Sequence, residues 1–257
     1  MMPRIVVLDY AEPSHAYPAT TCTVTGKVTA ALGLGHTQWS VTARLDKDAE
    51  LVWGDLHGDE AVYVLEGCLE LEGQRCAARS ALIVEAGAAG RARALEPTRI
   101  VHFGPTDPTP PAKGLFGPAD PAGHRIRIVD EDHSNPARHV GPDGTVYDLR
   151  FYADSTAPTC RLALFGMTAD RASDAAVHSH TQDEIIHVLR GEIHVGRLVI
   201  GSGMSIAVQA DQRYGFTAPG PVEFLNYRCD VSHVIHPPNA PILETAEASR
   251  RAGRGVV

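Results

Sequence analysis

The sequence predicts an all-β protein built from two tandem barrels, and three observations carry that expectation. Its 24 glycines and 18 prolines separate short runs rich in Val, Ile, Leu and Tyr, and no long stretch repeats with the 3.6-residue period of an amphipathic helix. The segment DEAVYVLEGCLEL at 59–71 recurs as DEIIHVLRGEIHV at 183–195, matching at Asp, Glu, Val, Leu and Gly with an offset of 124 residues. The same offset lays SALIVEAG (80–87) over MSIAVQAD (204–211), so one register fits two pairs of strands, each turning at a glycine, Gly67 or Gly191.

Taken in chain order, the run Ile5 to Leu8 is too short for a signal-peptide core, and nowhere do about 18 apolar residues follow one another. A cytoplasmic protein with no membrane partner is expected. Residues 1–104 form the first unit. A connector at 105–143 follows, because prolines at 105, 108, 110, 111, 118 and 121 each remove a ladder donor and exclude a central strand. Residues 144–257 form the second unit, with a short helix near its end at about Pro241 to Ala252. Formal charge is −8, from 23 Lys and Arg against 31 Asp and Glu, which repels phosphate backbones and makes nucleic acid an excluded partner. The five cysteines lack a Cys-x-x-Cys pair, which argues against both a disulfide framework and a thiolate zinc site. Neither a Gly-x-Ser-x-Gly elbow nor a glycine-rich phosphate loop occurs, so acyl transfer through serine and nucleotide chemistry are disfavoured.

The chemistry concentrates in the second unit. His178 and His180 alternate on one strand face, and a strand continuing in phase adds Glu184 to it. Two imidazoles and one carboxylate on a common face make the facial set that leaves metal positions open for substrate or oxygen. One divalent transition metal per chain is expected, iron first, with manganese, nickel, cobalt or zinc as alternatives. Arg161, Ala163, Phe165 and Met167 share a face by alternation, so an inward Arg161 would clamp an anionic substrate and an outward one would be a solubilising charge. Phe165, Ile186 and Phe216 are expected at the pocket wall, although ordinary core packing uses the same residues. His187 falls in the opposite phase to Glu184 and, with His194, is expected at a surface or interface. His102, His124, His133 and His139 lie around the connector and read as solvated loop residues.

HSHTQDEIIHVLRG resembles the first cupin motif, His-x-His-x(3)-Glu-x(6)-Gly, at every fixed position. The second cupin motif, Gly-x(5)-Pro-x-Gly-x(2)-His, has its spacing at Gly203 to Tyr214, but Gln209 replaces Pro, Asp211 replaces Gly and Tyr214 stands where the family's last metal-binding His would be. The resemblance implies two jelly-roll barrels in one chain, a bicupin, with a metal held by His178, His180, Glu184 and Tyr214. Tyr214 then binds as a phenolate, donates a hydrogen bond to substrate or metal-bound water, or is an inert core residue. In the resemblance Glu184 and Tyr214 are also the catalytic pair. It further implies a small-molecule substrate, a homodimer, and an oxygen-dependent dioxygenase acting on a small organic acid, enediol or aromatic. A non-redox isomerase, lyase or cyclase, or a binding protein without turnover, are the other readings. In the first unit the 124-residue offset maps His178 to Gly54, His180 to Leu56, Tyr214 to Gly90 and only Glu184 to a like residue, Glu60. Asp55 and His57 lie one residue out of register, so no working metal is expected there.

Overall fold

The computed structural model describes residues 4–8, 10, 13–14, 16–17, 22–108, 125–140, 144–156, 159–236 and 241–253. Most of the predicted connector core, 109–124 with His124, lies outside the described residues. Among the described residues the fold is all-β apart from one short helix, in antiparallel sheets. In chain order the strands are β1 (Ile5–Leu8), β2 (Cys22–Thr25), β3 (Val28–Leu34), β4 (Gln38–Leu45), β5 (Glu50–Trp53), β6 (Glu60–Glu66), β7 (Cys68–Leu71), β8 (Gln74–Ala77), β9 (Ala81–Val84), β10 (Gly90–Ala94), β11 (Thr98–Pro105) and β12 (Ile126–Val129). They continue as β13 (Asn135–Val140), β14 (Val146–Asp154), β15 (Ala163–Ala169), β16 (Ser173–His180), β17 (Glu184–Arg190), β18 (Glu192–Val195), β19 (Leu198–Gly201), β20 (Ser205–Val208), β21 (Tyr214–Ala218), β22 (Val222–Arg228), β23 (His233–Ile235) and β24 (Ile242–Leu243), before helix α1 (Ala246–Gly253).

Two compact units form, and their membership does not simply follow the chain. The N-terminal unit holds the described residues of 9–134 and also Thr159 to Arg161. Its sheets run β12-β9-β6-β11-β4-β3 and β2-β5-β10-β7-β8. The C-terminal unit holds Asn135–Thr156 and the chain from Leu162 on, together with β1. Its sheets run β1-β20-β17-β22-β15-β14-β13 and β19-β18-β21-β16-β23-β24. Within the span predicted as connector, β12 pairs with β9 and β13 pairs with β14. Each supplies ladder hydrogen bonds to an edge that would otherwise stand open.

The strand registers repeat at the offset read from the sequence. Glu60 faces Val84 as Glu184 faces Val208, and His102 lies between Val41 and Val62 as Asn226 lies between Phe165 and Ile186. The turn glycines repeat too. Gly67 and Gly191 have φ of 83° and 76°, and a Cβ there would come within 2.6 Å of Pro97 O and 2.4 Å of Pro221 O, so no side chain fits either turn. In each unit the in-phase positions of the central strand face the other sheet: Val62 and Val64 join Trp39, Leu51, Leu82 and Ile100, while Ile186 and Val188 join Ile206, Phe216 and Phe224. Glu60 and Glu184 share that inward phase, which carries each carboxylate into an apolar interior.

Candidate metal and catalytic centre

In the C-terminal unit β16, β17, β21 and β22 bring His178, His180, Glu184 and Tyr214 together. Tyr214 pairs directly across the strands with His178, their rings 4.7 Å apart, and the His178 and His180 rings meet edge to face at 4.8 Å. A bulge in β16 between Ala175 and His178 aims this end of the strand. His178 donates from Nδ1 to Ala176 O at 2.6 Å, and His180 donates from Nδ1 to Glu244 Oε2 at 2.9 Å. Both tautomers leave the Nε2 lone pair for another partner. His180 Nε2 lies 3.5 Å from Glu184 Oε1.

Glu184 is 1% exposed and well supplied with donors. Tyr214 Oη donates to Oε1, while Asn226 Nδ2 and Arg228 Nη2 donate to Oε2 at 2.8 and 2.7 Å. Burial would raise the pKa of this carboxyl, but His180, Arg228 and the two neutral donors outweigh it and hold the group below its ordinary value. Burial and the Glu184 charge push the Tyr214 phenol well above 10, so this tyrosine keeps its proton. Arg228 is itself 1% exposed; its Nη1 lies 3.1 Å from Glu244 Oε1, and its guanidinium carbon sits 5.5 Å from the Phe165 ring centroid. Nη2 is 3.2 and 3.3 Å from the two His180 nitrogens. That near-equal spacing puts it over the ring face rather than along either lone pair.

Among the described residues no three His, Cys, Asp or Glu side chains close on one point as a finished ion cage. The donor chemistry nevertheless fits a divalent transition metal. Two donors bound at about 2.1 Å to one cation stand roughly 3.0–3.5 Å apart, the separation that His180 Nε2 and Glu184 Oε1 already have. His178, its ring 4.8 Å from that of His180, is the third candidate ligand. Beside Glu184, Asn226 Oδ1 is buried without a partner among the described residues, an acceptor that a bound water or substrate hydroxyl would satisfy.

Several sequence expectations need correction. Arg161 is not on a strand, because β15 begins at Ala163; its backbone N–H donates to Asp59 Oδ2 at 2.8 Å, and the residue belongs to the N-terminal unit. Alternation therefore cannot bring it to the face of Phe165. Ile186 and Phe216 are packed in the apolar core around Phe224, and Phe165 stacks with Phe151 at 4.9 Å on one side and meets Arg228 on the other. His187 does lie in the opposite phase to Glu184, but that face is covered too: the residue is 2% exposed and bonds Ser205 Oγ at 2.8 Å. Asn226, Arg228, Glu244 and His236 were not anticipated. His236 stands 5.4 Å from the His178 ring, and burial and His180 hold it below the usual imidazole value. An Arg two residues after an Asn inside the apolar run FLNYR was the available signal for two of the four.

The N-terminal unit fills the equivalent place. Glu60, fully buried, accepts from Trp53 Nε1 and from His102 Nε2, both at 2.9 Å, and Tyr17 Oη bonds the other His102 nitrogen at 2.7 Å. His102 is thus a fully buried strand residue and not the solvated loop residue expected from its distance to the connector. Where the other unit carries Arg228 this one has Gly104, and the Trp39 ring occupies the space, 2.2 Å from where a Cβ would stand. Both ring nitrogens of His57 face backbone carbonyls, Gly58 O and Ala88 O, so neither is offered to an ion. Replacing His102 with leucine strips Glu60 and Tyr17 of a buried partner and is expected to cost about 1–3 kcal/mol in denaturant unfolding. A loss below about 0.5 kcal/mol would mean the network is ornamental.

No family model and no curated protein matches the sequence. Solved structures do match over most of the chain. A protein described as glyoxylate-induced, from Pseudomonas aeruginosa, aligns with 15% identity over 88% of each chain at a TM-score of 0.64. Oxalate decarboxylase from Bacillus subtilis aligns with 14% identity over 90% of this chain and 77% of its own, TM-score 0.60. The protein Ylba from E. coli aligns with 11% identity over 78% of this chain and 82% of its own, TM-score 0.55. These likenesses establish the cupin-type fold. Among the described residues no helix is long and apolar enough to cross a membrane.

Proposed function

We propose that the chain is a metal-dependent bicupin enzyme acting on a small organic acid, with His178, His180 and Glu184 of the C-terminal unit as metal ligands. The observation that carries this reading is the pair of imidazoles anchored through Nδ1, one of them with its Nε2 3.5 Å from a buried carboxylate oxygen, the spacing of two donors on one ion. A bound divalent ion would supply Lewis-acid polarisation of substrate oxygens or, as Fe(II), oxygen chemistry. Iron is the first choice, with manganese, nickel, cobalt or zinc as alternatives.

The residues around the ligands favour proton movement. Tyr214 holds its one proton on the phenol oxygen and gives it to Glu184 Oε1 in a hydrogen bond; redirected from that carboxylate, the same hydrogen bond would stabilise charge developing on a substrate oxygen nearby. Arg228 and Asn226 keep Glu184 ionised and oriented, and the aromatic and aliphatic packing around Phe216 excludes water from behind it. This favours a non-redox lyase or isomerase acting on a small carboxylate, a substrate class also named in the oxalate decarboxylase likeness. The second reading, an oxygen-dependent dioxygenase, draws on the same two-histidine, one-carboxylate set, which leaves coordination positions open. A second copy of the chain is the proposed protein partner; the exposed Leu198 and Val199 on the edge strand β19 favour it.

Elemental analysis of the purified protein, followed by turnover of small mono- and dicarboxylic acids with and without oxygen, tests the assignment. About one equivalent of transition metal per chain and anaerobic turnover are the expected results. Substrate-dependent oxygen uptake would instead select the dioxygenase, and ligand binding without turnover in any metal form would overturn both.

A further inference from the structure

The C-terminal segment does more than finish the chain. Strand β24 pairs with β23, which pairs in turn with Ser179 and His180 of β16. Immediately after it, Glu244 is fastened from four sides. Its backbone N–H donates to Ser232 O at 3.0 Å, and Ser232 Oγ donates to Oε2 at 2.6 Å. Arg228 Nη1 lies 3.1 Å from Oε1, and His180 Nδ1 donates to Oε2 at 2.9 Å. The next residue caps α1: Thr245 Oγ1 accepts from Ala248 N at 3.2 Å, and Ala246 is fully buried against Ala137, Phe151 and Phe165. Arg250 ties the helix to Asn135 and Pro136. The helix is thereby held at both ends of its first two turns, and the carboxylate before it has little freedom.

Resting on the metal reading above, we propose that residues 241–253 act as a positioning strap. Glu244 holds the His180 ring so that Nε2 faces Glu184, and docking of the strap and affinity for the ion are thermodynamically linked. An imidazole on a strand can swing about χ1 and χ2, and ordering it at the moment of binding costs affinity. A carboxylate hydrogen-bonded to Nδ1 removes that freedom beforehand, fixes the tautomer and makes Nε2 a stronger donor to a cation. His178 has only a backbone carbonyl at the corresponding nitrogen, so the strap acts on one ligand selectively. Linkage then runs both ways: whatever the docked strap contributes to ion affinity, the ion returns to strap docking.

Co(II) is the probe, because its visible absorption reports the ligand field as well as occupancy. The intact protein is titrated with Co(II) beside Glu244→Ala, Glu244→Gln and, as an exposed control on the same helix, Glu247→Gln. We expect Glu244→Ala to lose about 10- to 100-fold in affinity with a shifted spectrum. Glu244→Gln, which keeps an acceptor oxygen for Nδ1–H, recovers part of the loss, and Glu247→Gln matches the wild type. In hydrogen exchange, Co(II) slows the amides of 244–249 in the wild type and not in Glu244→Ala. Affinity and spectrum unchanged within about twofold in a folded Glu244→Ala variant would overturn the strap while leaving the metal reading intact. Should Glu244→Ala fail to fold, wild-type affinity and spectrum in Glu244→Gln together with exchange that ignores Co(II) would overturn it equally. A wild-type protein that takes up no Co(II) sinks the metal reading itself, and the strap with it.

Discussion

Replacing Arg228 with methionine is expected to lower the stability of the C-terminal unit by about 3–5 kcal/mol at pH 7, the usual consequence of removing one partner from a buried ion pair. Two carboxylates depend on this one cation. Glu184 accepts from Nη2 at 2.7 Å and Glu244 lies 3.1 Å from Nη1, and both are buried. Methionine fills a similar volume beside Phe165, so the loss reports charge rather than a cavity. The pH dependence carries a sign that packing alone would not produce. Burial opposes ionisation of Glu244, but Arg228, His180 and Ser232 more than offset it and bring the group from the usual 4.5 to about 2. Glu184 is lowered as well. Groups depressed in this way stabilise the folded state above their unfolded value near 4.5, and that contribution is lost as pH falls through the folded value, toward 2 for Glu244. Without Arg228, burial dominates and both carboxyls rise, so the variant gains relative to the wild type as the solution is acidified. Unfolding curves at pH 7 and pH 4 measure this directly. An equal deficit at the two pH values, or a second substitution Glu184→Gln that recovers nothing, would remove the electrostatic explanation.

The second large effect concerns metal content. His180→Ala and Glu184→Ala are each expected to lower divalent-metal affinity by more than about 100-fold, the upper end of what loss of a mere supporting partner costs. Tyr214→Phe separates the roles of phenol and ligand. Because burial and Glu184 hold the tyrosine proton in place, the variant should keep its metal and lose turnover by about 100-fold, the range of a positioned proton donor. Equilibrium dialysis against Zn(II) and Co(II), with kcat measured on the loaded protein, distinguishes the outcomes. If Tyr214→Phe sheds metal as completely as His180→Ala, the phenol oxygen is a ligand and its proton must leave on binding. If His178→Ala binds as well as the wild type, the donor set is smaller than proposed.

Much of this molecule was readable in advance because two of its features are local and periodic. The 124-residue repeat appears in the chain as matching strand and turn residues, and it reappears as matching registers, Glu60 on Val84 and Glu184 on Val208. Strand alternation put His178 and His180 on one face of β16, but the continuous strand expected to add Glu184 is interrupted. β16 ends at His180, the chain bends at 181–183, and Glu184 opens β17 in the other sheet, from which its carboxylate still reaches the imidazoles and Tyr214. Alternation failed where the strand itself ended: Arg161 precedes β15, and its phase relative to Phe165 had no meaning. Burial failed for a different reason. His102 and His187 looked like surface residues because nothing nearby in sequence covers them, yet both are buried by residues distant in the chain, Glu60 and Trp39 in one case, 42 and 63 residues away, and Ser205 in the other, 18 residues away.

The amino-acid sequence alone determined that the chain would be β, that it would say the same thing twice, and that His178 and His180 would share one face of a strand, since period and spacing are properties of neighbours along a backbone. Which charges would share the interior was decided only in three dimensions. Arg228 and Glu244 lie 44 and 60 residues beyond Glu184, and no pattern in either segment announces the other. A carboxylate can remain ionised away from water only if a cation and hydrogen-bond donors are carried to it by other strands, and that delivery is set by how the sheets close.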